Sequence, residues 1–113
     1  MRVLNYYMGK KPVYMDICNA PEKIKSVVDG QFMIIPLSHN YILVCNEHQP
    51  AGKPRGINKI NRIITVPKIV DGFITGVRQK PISGNFFICS YSNGEMKDLH
   101  DGRIKEIIAL CGM

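Results

Sequence analysis

Residues 32–46 read FMIIPLSHNYILVCN and form the most apolar stretch of the chain. Two runs rich in branched and aromatic side chains, Phe32–Pro36 and Tyr41–Asn46, flank the polar triplet Ser38-His39-Asn40. Such side chains favour strands, and a short polar segment between two strand-like runs is typical of a β-hairpin. The stretch therefore predicts an antiparallel hairpin, and its apolar character predicts that this hairpin lies at the centre of a sheet.

The residues before this hairpin predict two strands and a short helix. Alternation of apolar and polar side chains predicts strands at Arg2–Tyr7 and Val13–Ile17, paired as a hairpin. Asn19 ahead of Pro21 is typical of a helix start, with Asn19 as the N-cap, and Asp29-Gly30 is typical of a helix end. This order of elements favours a helix packed on an antiparallel sheet.

The residues after position 61 predict three more strands and a second helix. The strands are Ile63–Val66, Phe73–Val77 and Ile82–Tyr91, and the helix runs from about Asp101 to Leu110. We therefore predict an α+β fold, an antiparallel sheet of five or six strands with two helices packed on it. At 113 residues the chain is expected to form a single domain, 1–113. The open edges of so small a sheet favour pairing with a second copy, so a homodimer is one expected assembly.

The positive charge of the chain is concentrated in its middle. The formal net charge is +6, and residues 48–80 alone contain seven basic residues against one acid, Asp71. An uneven distribution of this kind favours anionic partners and does not determine a fold. Inside this segment, residues 47–61 contain Gly and Pro and predict a long basic loop that carries Lys53, Arg55 and Lys59. Long loops in compact domains are commonly functional.

Four polar residues border the predicted loop, and they complete the candidate site. Asn46 and Glu47 precede it, and Asn61 and Arg62 follow it. An Arg guanidinium offers two parallel donors to a phosphate or carboxylate, and the Asn side chains are suited to a base edge or a ribose hydroxyl. The alternative interpretation is structural: a Glu47–Arg62 ion pair anchors the loop while the asparagines cap backbone groups. The two interpretations are compatible, since an anchored loop is also preorganised.

Several classes of protein are disfavoured by the sequence. No apolar run approaches the roughly 20 residues that span a bilayer, and the N-terminus lacks the apolar region of a signal peptide. We therefore expect a cytoplasmic protein of a bacterial host cell, with no membrane partner.

No Cys-x-x-Cys motif occurs, which favours reduced structural thiols and predicts no metal and no cofactor. Since no catalytic motif is present, we expect the protein not to be an enzyme. The cysteines are Cys18, Cys45, Cys89 and Cys111.

A set of short motifs occurs here in a familiar order. They are Gly9-Lys10-Lys11-Pro12, Val28-Asp29-Gly30, Phe32–Leu37, Leu43-Val44-Cys45-Asn46-Glu47, Gly56 with Asn61-Arg62, Ile82-Ser83-Gly84-Asn85-Phe86-Phe87-Ile88 and Leu99–Ile108. In this order the chain resembles domain of unknown function 3846, a small family from phages, plasmids and Gram-positive bacteria. The resemblance covers nearly the whole chain and implies the scaffold and a mobile-element setting, without a settled activity. The stretch His48–Lys59 is longer and more basic than the family pattern.

These features support three hypotheses of function. The first is a non-catalytic phage or mobile-element counter-defence protein that holds an anionic ligand, a nucleotide immune signal, through Lys53, Arg55, Lys59 and Arg62. The second is an anti-CRISPR-like protein–protein inhibitor of a host nuclease or immune effector. The third is a nucleic-acid-binding accessory protein. The expected partner is accordingly an anionic ligand, either nucleotide or nucleic acid, or a host immune effector protein.

Overall fold

The structure is a computed structural model that describes residues 1–37, 40–49 and 60–99. Over these ranges the chain forms eight strands and one helix. In chain order they are β1 (Arg2–Tyr6), β2 (Val13–Asp16), α1 (Pro21–Val28), β3 (Phe32–Pro36), β4 (Tyr41–Asn46), β5 (Ile60–Val70), β6 (Phe73–Ser83), β7 (Phe86–Ser92) and β8 (Glu95–Lys97).

Six of the strands form one antiparallel sheet, called the main sheet below. Its order is β2-β1-β7-β4-β3, and β8 pairs with β7. The predicted hairpins β1–β2 and β3–β4 are confirmed. The predicted central position of the β3–β4 hairpin is wrong, because β3 lies at the edge and β7 lies in the middle. Strand β7 is the better central strand because Phe86, Phe87, Ile88 and Cys89 are all fully buried, whereas Ile34 in β3 is 41% exposed.

Helix α1 forms where the sequence predicted it, and its predicted end at Asp29-Gly30 is confirmed, but the predicted N-cap Asn19 is wrong. Ala20, in an extended conformation, is the N-cap, and no side chain caps the first turn. Asn19 instead donates from Nδ2 to the Met96 carbonyl at 3.5 Å. At the other end, the left-handed residue is Asp29, with φ 59° and ψ 41°. Asp tolerates this conformation better than most residues, and Gly30 follows it with φ 149°, a conformation that residues with a side chain rarely adopt.

The main sheet is covered on both faces, which gives three layers. One face packs on α1 and contributes Val44 and Phe87 to a cluster that includes Ile24 and Val28 of the helix. The other face packs on the β5–β6 hairpin. Its cluster contains Leu4, Tyr6, Leu43, Cys45, Phe86 and Ile88 from the main sheet, with Ile64, Val66 and Ile82 from the hairpin. Alternate side chains of each strand therefore face two different apolar layers.

The hairpin β5–β6, called the arm below, is the largest departure from the predicted fold. Its two strands of 11 residues each pair only with one another in the described part of the chain. The sequence predicted shorter strands there and a continuous strand Ile82–Tyr91. That strand is divided at Gly84, where φ is 76°, so its first residues belong to the arm. The predicted turn at Asp71-Gly72 is confirmed, since both residues have positive φ, 51° and 81°. Paired positive φ values match the twist of a two-residue hairpin.

The predicted sheet is confirmed, whereas the second predicted helix is not. The antiparallel sheet is present with six strands, and β8 is an additional short strand beyond the turn at Asn93-Gly94. Of the two predicted helices, only α1 falls in the described residues, so the second is not confirmed. The segment Asp101–Leu110 lies outside those residues. Within them, no helix has the length and apolar character needed to cross a bilayer.

Candidate functional site

The predicted basic loop lies between β4 and β5. Strand β4 ends at Asn46 and strand β5 begins at Ile60. The cations Lys53, Arg55 and Lys59 lie outside the described residues, which resume at Ile60. The described part of the candidate site therefore consists of the polar residues at the two ends of the loop and of the arm that follows it.

Gln49, near the start of the predicted loop, bonds to the base of the arm, and sequence reasoning did not find it. Its Nε2 donates to the Asn46 carbonyl at 2.9 Å and to the Ser83 carbonyl at 3.1 Å. In return, the Ser83 backbone N–H donates to Gln49 Oε1 at 2.7 Å. The Gln49 side chain therefore exchanges two hydrogen bonds with the Ser83 backbone, as directly opposite residues of paired antiparallel strands do. Gln49 thereby ties the end of β4 to the base of the arm, and only the tertiary contact with Ser83 identifies it.

Asn46 caps the C-terminus of α1 from the neighbouring strand. Its Nδ2 donates to the carbonyls of Val28 and Asp29, both at 3.1 Å, and its Oδ1 accepts the His48 N–H at 2.8 Å. The last carbonyls of a helix have no partner within the helix, so this amide satisfies two of them. Gly30 makes the approach possible, because a Cβ there would lie 2.9 Å from Asn46 Nδ2.

Asn61 is a buried structural residue at the start of β5. Its side chain is 8% exposed and donates through Nδ2 to the Tyr6 carbonyl at 2.8 Å and to the Gly84 carbonyl at 2.9 Å. The first bond links the arm to β1, and the second links it to the turn before β7. The amide therefore fixes the base of the arm on the main sheet.

Arg62 is held by three hydrogen bonds and one aromatic contact. One terminal nitrogen donates to the Asn61 carbonyl at 2.8 Å and to Asn61 Oδ1 at 3.0 Å, and the other donates to the Lys10 carbonyl at 2.8 Å. The guanidinium carbon lies 5.6 Å from the centre of the Tyr6 ring, which stacks on Phe86 at 4.7 Å. Such a position suits the cation–π attraction of Arg.

Glu47 does not form the ion pair that the structural interpretation expected. Its carboxylate lies 3.5 Å from His48 Nε2, with both side chains exposed, whereas the donors of Arg62 reach Lys10 and Asn61. Of the four bordering residues, the structure joins only Asn61 and Arg62 to one another. The capping role predicted for the asparagines is confirmed for Asn46 and for Asn61, since both donate to backbone carbonyls.

The solvent-facing cations among the described residues of the basic segment lie on the arm. Lys68 and Arg78 are exposed, and neither forms an ion pair within the described ranges. They line a shallow cleft of about 360 Å³ together with Pro67, Ile69 and Val70. Apolar and cationic side chains therefore share one concave surface.

A second cleft, of about 430 Å³, lies between the start of α1 and the β7–β8 hairpin. Its lining residues are Asn19, Pro21, Ile24, Phe32, Ile34, Tyr91, Gly94, Glu95 and Met96. Because the one charged side chain in this lining is Glu95, the cleft does not favour an anion. Within residues 1–37, 40–49 and 60–99, no cluster of His, Cys, Asp or Glu has the arrangement of a metal site.

The thiols of two cysteines are buried in the main sheet. Burial raises the pKa of Cys45 to about 11, with a small opposing effect of the Lys80 charge, and raises the pKa of Cys89 to about 12. A thiol that remains protonated at neutral pH is a poor nucleophile. Cys18 is exposed, and Cys111 lies outside the described residues.

A family model described as domain of unknown function (DUF3846) matches residues 1–112. The chain belongs to this family. The match confirms the family that the ordered motifs predicted, and it covers nearly the whole sequence. Searches of the curated proteins and of the solved structures return no match.

Proposed function

We propose that this DUF3846 protein is a non-catalytic counter-defence protein of a mobile element, which inhibits a host immune effector by binding its acidic surface. The observation that supports this is the uneven charge. Residues 48–80 hold seven cations and one acid, and within this segment Lys68 and Arg78 are exposed without an ion-pair partner in the described chain. A basic surface of this kind accelerates and orients encounters with acidic proteins.

The contacts of the polar loop-end residues favour a large partner over a small ligand. Recognition of a nucleotide by Asn46, Asn61 and Arg62 requires free donors. These three side chains donate instead to backbone carbonyls of their own fold. Within the basic segment, the described cations that face solvent, Lys68 and Arg78, lie along the extended arm rather than around an enclosed pocket. A macromolecular surface matches that arrangement better than a single nucleotide.

A nucleotide immune signal is the second candidate. It is favoured by the concentration of Lys53, Arg55 and Lys59 within a short segment that Gln49 and Asn61 anchor at its two ends. Calorimetry with cyclic di- and trinucleotides and with ADP-ribose derivatives separates it from the first. Saturable heat that disappears in Lys53→Glu/Arg55→Glu/Lys59→Glu identifies a nucleotide-binding protein and rejects the effector proposal.

The effector proposal is tested with purified host nucleases and defence effectors immobilised one at a time. We expect one of them to retain the wild-type protein with measurable affinity and to lose its activity when it does. Reversal of charge at Lys68 and Arg78 is expected to weaken this complex. The matched control is Lys11→Glu/Lys23→Glu, which makes the same change in net charge on exposed residues outside the basic segment. Equal weakening by both variants would leave only a nonspecific charge effect and would reject the proposal.

A further inference from the structure

The distal half of the arm is unusual for its exposed apolar side chains. We define the arm tip as residues 67–78, beyond the part of the arm that packs on the main sheet. Five large apolar side chains are at least half exposed there: Ile69 50%, Val70 55%, Phe73 73%, Ile74 50% and Val77 65%. The strand register places Ile69, Ile74 and Val77 on one face of the hairpin and Val70 and Phe73 on the other. Several large apolar side chains exposed in one part of a monomer indicate an interaction surface, whereas single scattered ones are ordinary.

The arm tip is exposed because, among the described residues, the arm packs on the main sheet at its base alone. Ile64, Val66 and Ile82 lie fully buried against the main sheet, with at most 1% exposure. Strand register places the alternate residues of β5 and β6 on the opposite face, where Ile63 pairs with Pro81 and Pro67 with Val77. Ile63 is 57% exposed, and the hydrogen-bonded pair Thr65–Gln79 lies between these two pairs on the same face. The outer face therefore has exposed apolar side chains at the base and at the arm tip, with one polar pair between them.

We propose that the arm tip is a protein-docking surface, which inserts into an apolar groove bordered by acidic side chains on the partner. This inference rests on the proposed function, since it identifies where the acidic partner binds. Phe73, the most exposed large apolar residue in the described part of the chain, is expected to be the anchor. Lys68 and Arg78 share a cleft with Ile69 and Val70, so one concavity offers both an apolar wall and two cations. An Asp or Glu side chain fits that combination, because its stem is apolar and its head is negatively charged.

Charge argues against a second copy as the occupant. The arm tip contains two cations and one acid, Asp71. Two arm tips that met face to face would bring like charges together in a partly dehydrated interface. Like-charge contact of this kind is unfavourable for association.

Composition argues against nucleic acid as the occupant. Surfaces that bind DNA or RNA are polar and strongly positive, with most hydrogen bonds directed to phosphates. On the arm tip, apolar side chains outnumber the cations. An apolar core with a charged border is the anatomy of a protein–protein interface.

The prolines of the arm indicate that docking uses its faces rather than its edges. A proline cannot donate a ladder hydrogen bond, so in a paired strand it takes a position whose N–H would point away from the neighbouring strand. Pro67 interrupts the free edge of β5, and Pro81 interrupts the free edge of β6. Each edge therefore lacks a donor that an added strand would need, which disfavours strand addition and leaves the side chains as the docking elements.

The test uses a display library of random peptides selected against the whole wild-type protein. We expect the selected peptides to combine aromatic or aliphatic residues with Asp or Glu. Phe73→Ser/Val77→Ser is expected to weaken their binding by more than about tenfold, the usual loss when an interface anchor is truncated. The matched control is Val13→Ser, a change at an exposed valine, 47% exposed, on the edge strand β2. Circular dichroism verifies that each variant is folded.

Each alternative occupant has an outcome that rejects this inference. Selected peptides that bind wild type and Phe73→Ser/Val77→Ser equally, or a library that yields none, would show that the arm tip is not a docking surface. A dimer in sedimentation that dissociates in the same variant would assign the arm tip to a second copy. Binding of a DNA duplex that the variant abolishes at low salt would assign it to nucleic acid.

Two charge-reversal variants separate this inference from the proposed function. Suppose that peptide binding requires Phe73 and Val77 but is unaffected by Lys68→Glu/Arg78→Glu. That result would support the arm tip as a docking surface and would reject the acidic partner of the proposed function. Suppose instead that Lys53→Glu/Arg55→Glu/Lys59→Glu abolishes effector binding while Phe73→Ser/Val77→Ser does not. The proposed function is then correct, and the arm tip is not its docking surface.

Discussion

Phe86 and Phe73 each lie in a strand of an antiparallel sheet, yet Phe86 is fully buried and Phe73 is 73% exposed. Phe86 begins the central strand of the main sheet, where β1 pairs on one side and other layers cover both faces. Phe73 begins β6 at the end of an arm whose strands pair only with one another in the described chain. The difference shows that the number of layers around a strand, rather than its composition, decides whether an apolar side chain stabilises the fold or remains available for binding.

The largest expected effect is a direct test of this contrast. Phe86→Ala removes a buried ring that stacks on Tyr6, and we expect it to lower the free energy of unfolding by about 3–5 kcal/mol. Phe73→Ala removes an exposed ring and is expected to change that free energy by less than about 0.5 kcal/mol. Urea denaturation measures both. A comparable loss in the two variants would mean that the arm tip belongs to the folded core.

The next effect concerns the attachment of the arm to the main sheet. Asn61→Ala removes the donor that serves the carbonyls of Tyr6 and Gly84 and leaves both without it, so we expect a loss of about 1–3 kcal/mol. Asn19→Ala is the control, because its bond to the Met96 carbonyl is long, at 3.5 Å, and exposed. The control is expected to cost less than about 0.5 kcal/mol. Similar losses for the two variants would contradict a special role for Asn61.

A third effect tests the contact between α1 and the end of β4. Gly30→Ala introduces a Cβ 2.9 Å from Asn46 Nδ2 at a residue with φ 149°, and we expect it to cost about 1–3 kcal/mol. Because removal of the Asn46 amide relieves the collision, the combined variant Gly30→Ala/Asn46→Ala is expected to lose less than the sum of the two single losses. Thermal unfolding of the four proteins in this cycle measures the coupling. Strict additivity would show that the close approach is not the source of the strain.

A smaller effect, of opposite sign, concerns Asn5 in the main sheet. Its side chain is fully buried, and neither amide atom has a hydrogen-bond partner among the described residues. A buried amide without partners is unfavourable, so Asn5→Leu is expected to raise the free energy of unfolding by about 1 kcal/mol. The measured quantity is the urea midpoint relative to wild type. A clear loss of stability would reveal that the amide makes a contact that the leucine cannot replace.

The smallest effect concerns the buried thiols, which we expect to leave stability unchanged at neutral pH. The ordinary pKa of a Cys thiol is near 9.0, and burial raises the pKa of Cys89 to about 12. The folded protein therefore retains this proton at a pH where the unfolded chain releases it. Stability is unaffected below about pH 9 and falls as the pH rises toward 12. Cys89→Ala is expected to reduce the alkaline loss, whereas Cys18→Ala, at an exposed site, is expected to leave it unchanged.

The paired hairpins β1–β2 and β3–β4, helix α1 and the turn at Asp71-Gly72 were predicted from local patterns. These patterns suffice because alternation, β-branched side chains and turn residues act within a few positions of one another. The candidate site was harder to predict. Asn46 and Asn61 were identified as important, yet Gln49 was missed, because its partner Ser83 is far away in the sequence. Sequence also could not say whether Arg62 contacts Glu47 or Lys10, since both are within reach of so long a side chain.

The sequence by itself determined that this chain carries an antiparallel sheet, a short helix and a strongly basic middle segment, because side-chain period and charge are properties of order along the chain. Only the tertiary structure decided that β7 is central, that β3 is an edge and that residues 67–78 project beyond the core. Those outcomes depend on which strands find a covering layer. Two apolar strands look alike in sequence until packing covers one of them and leaves the other exposed.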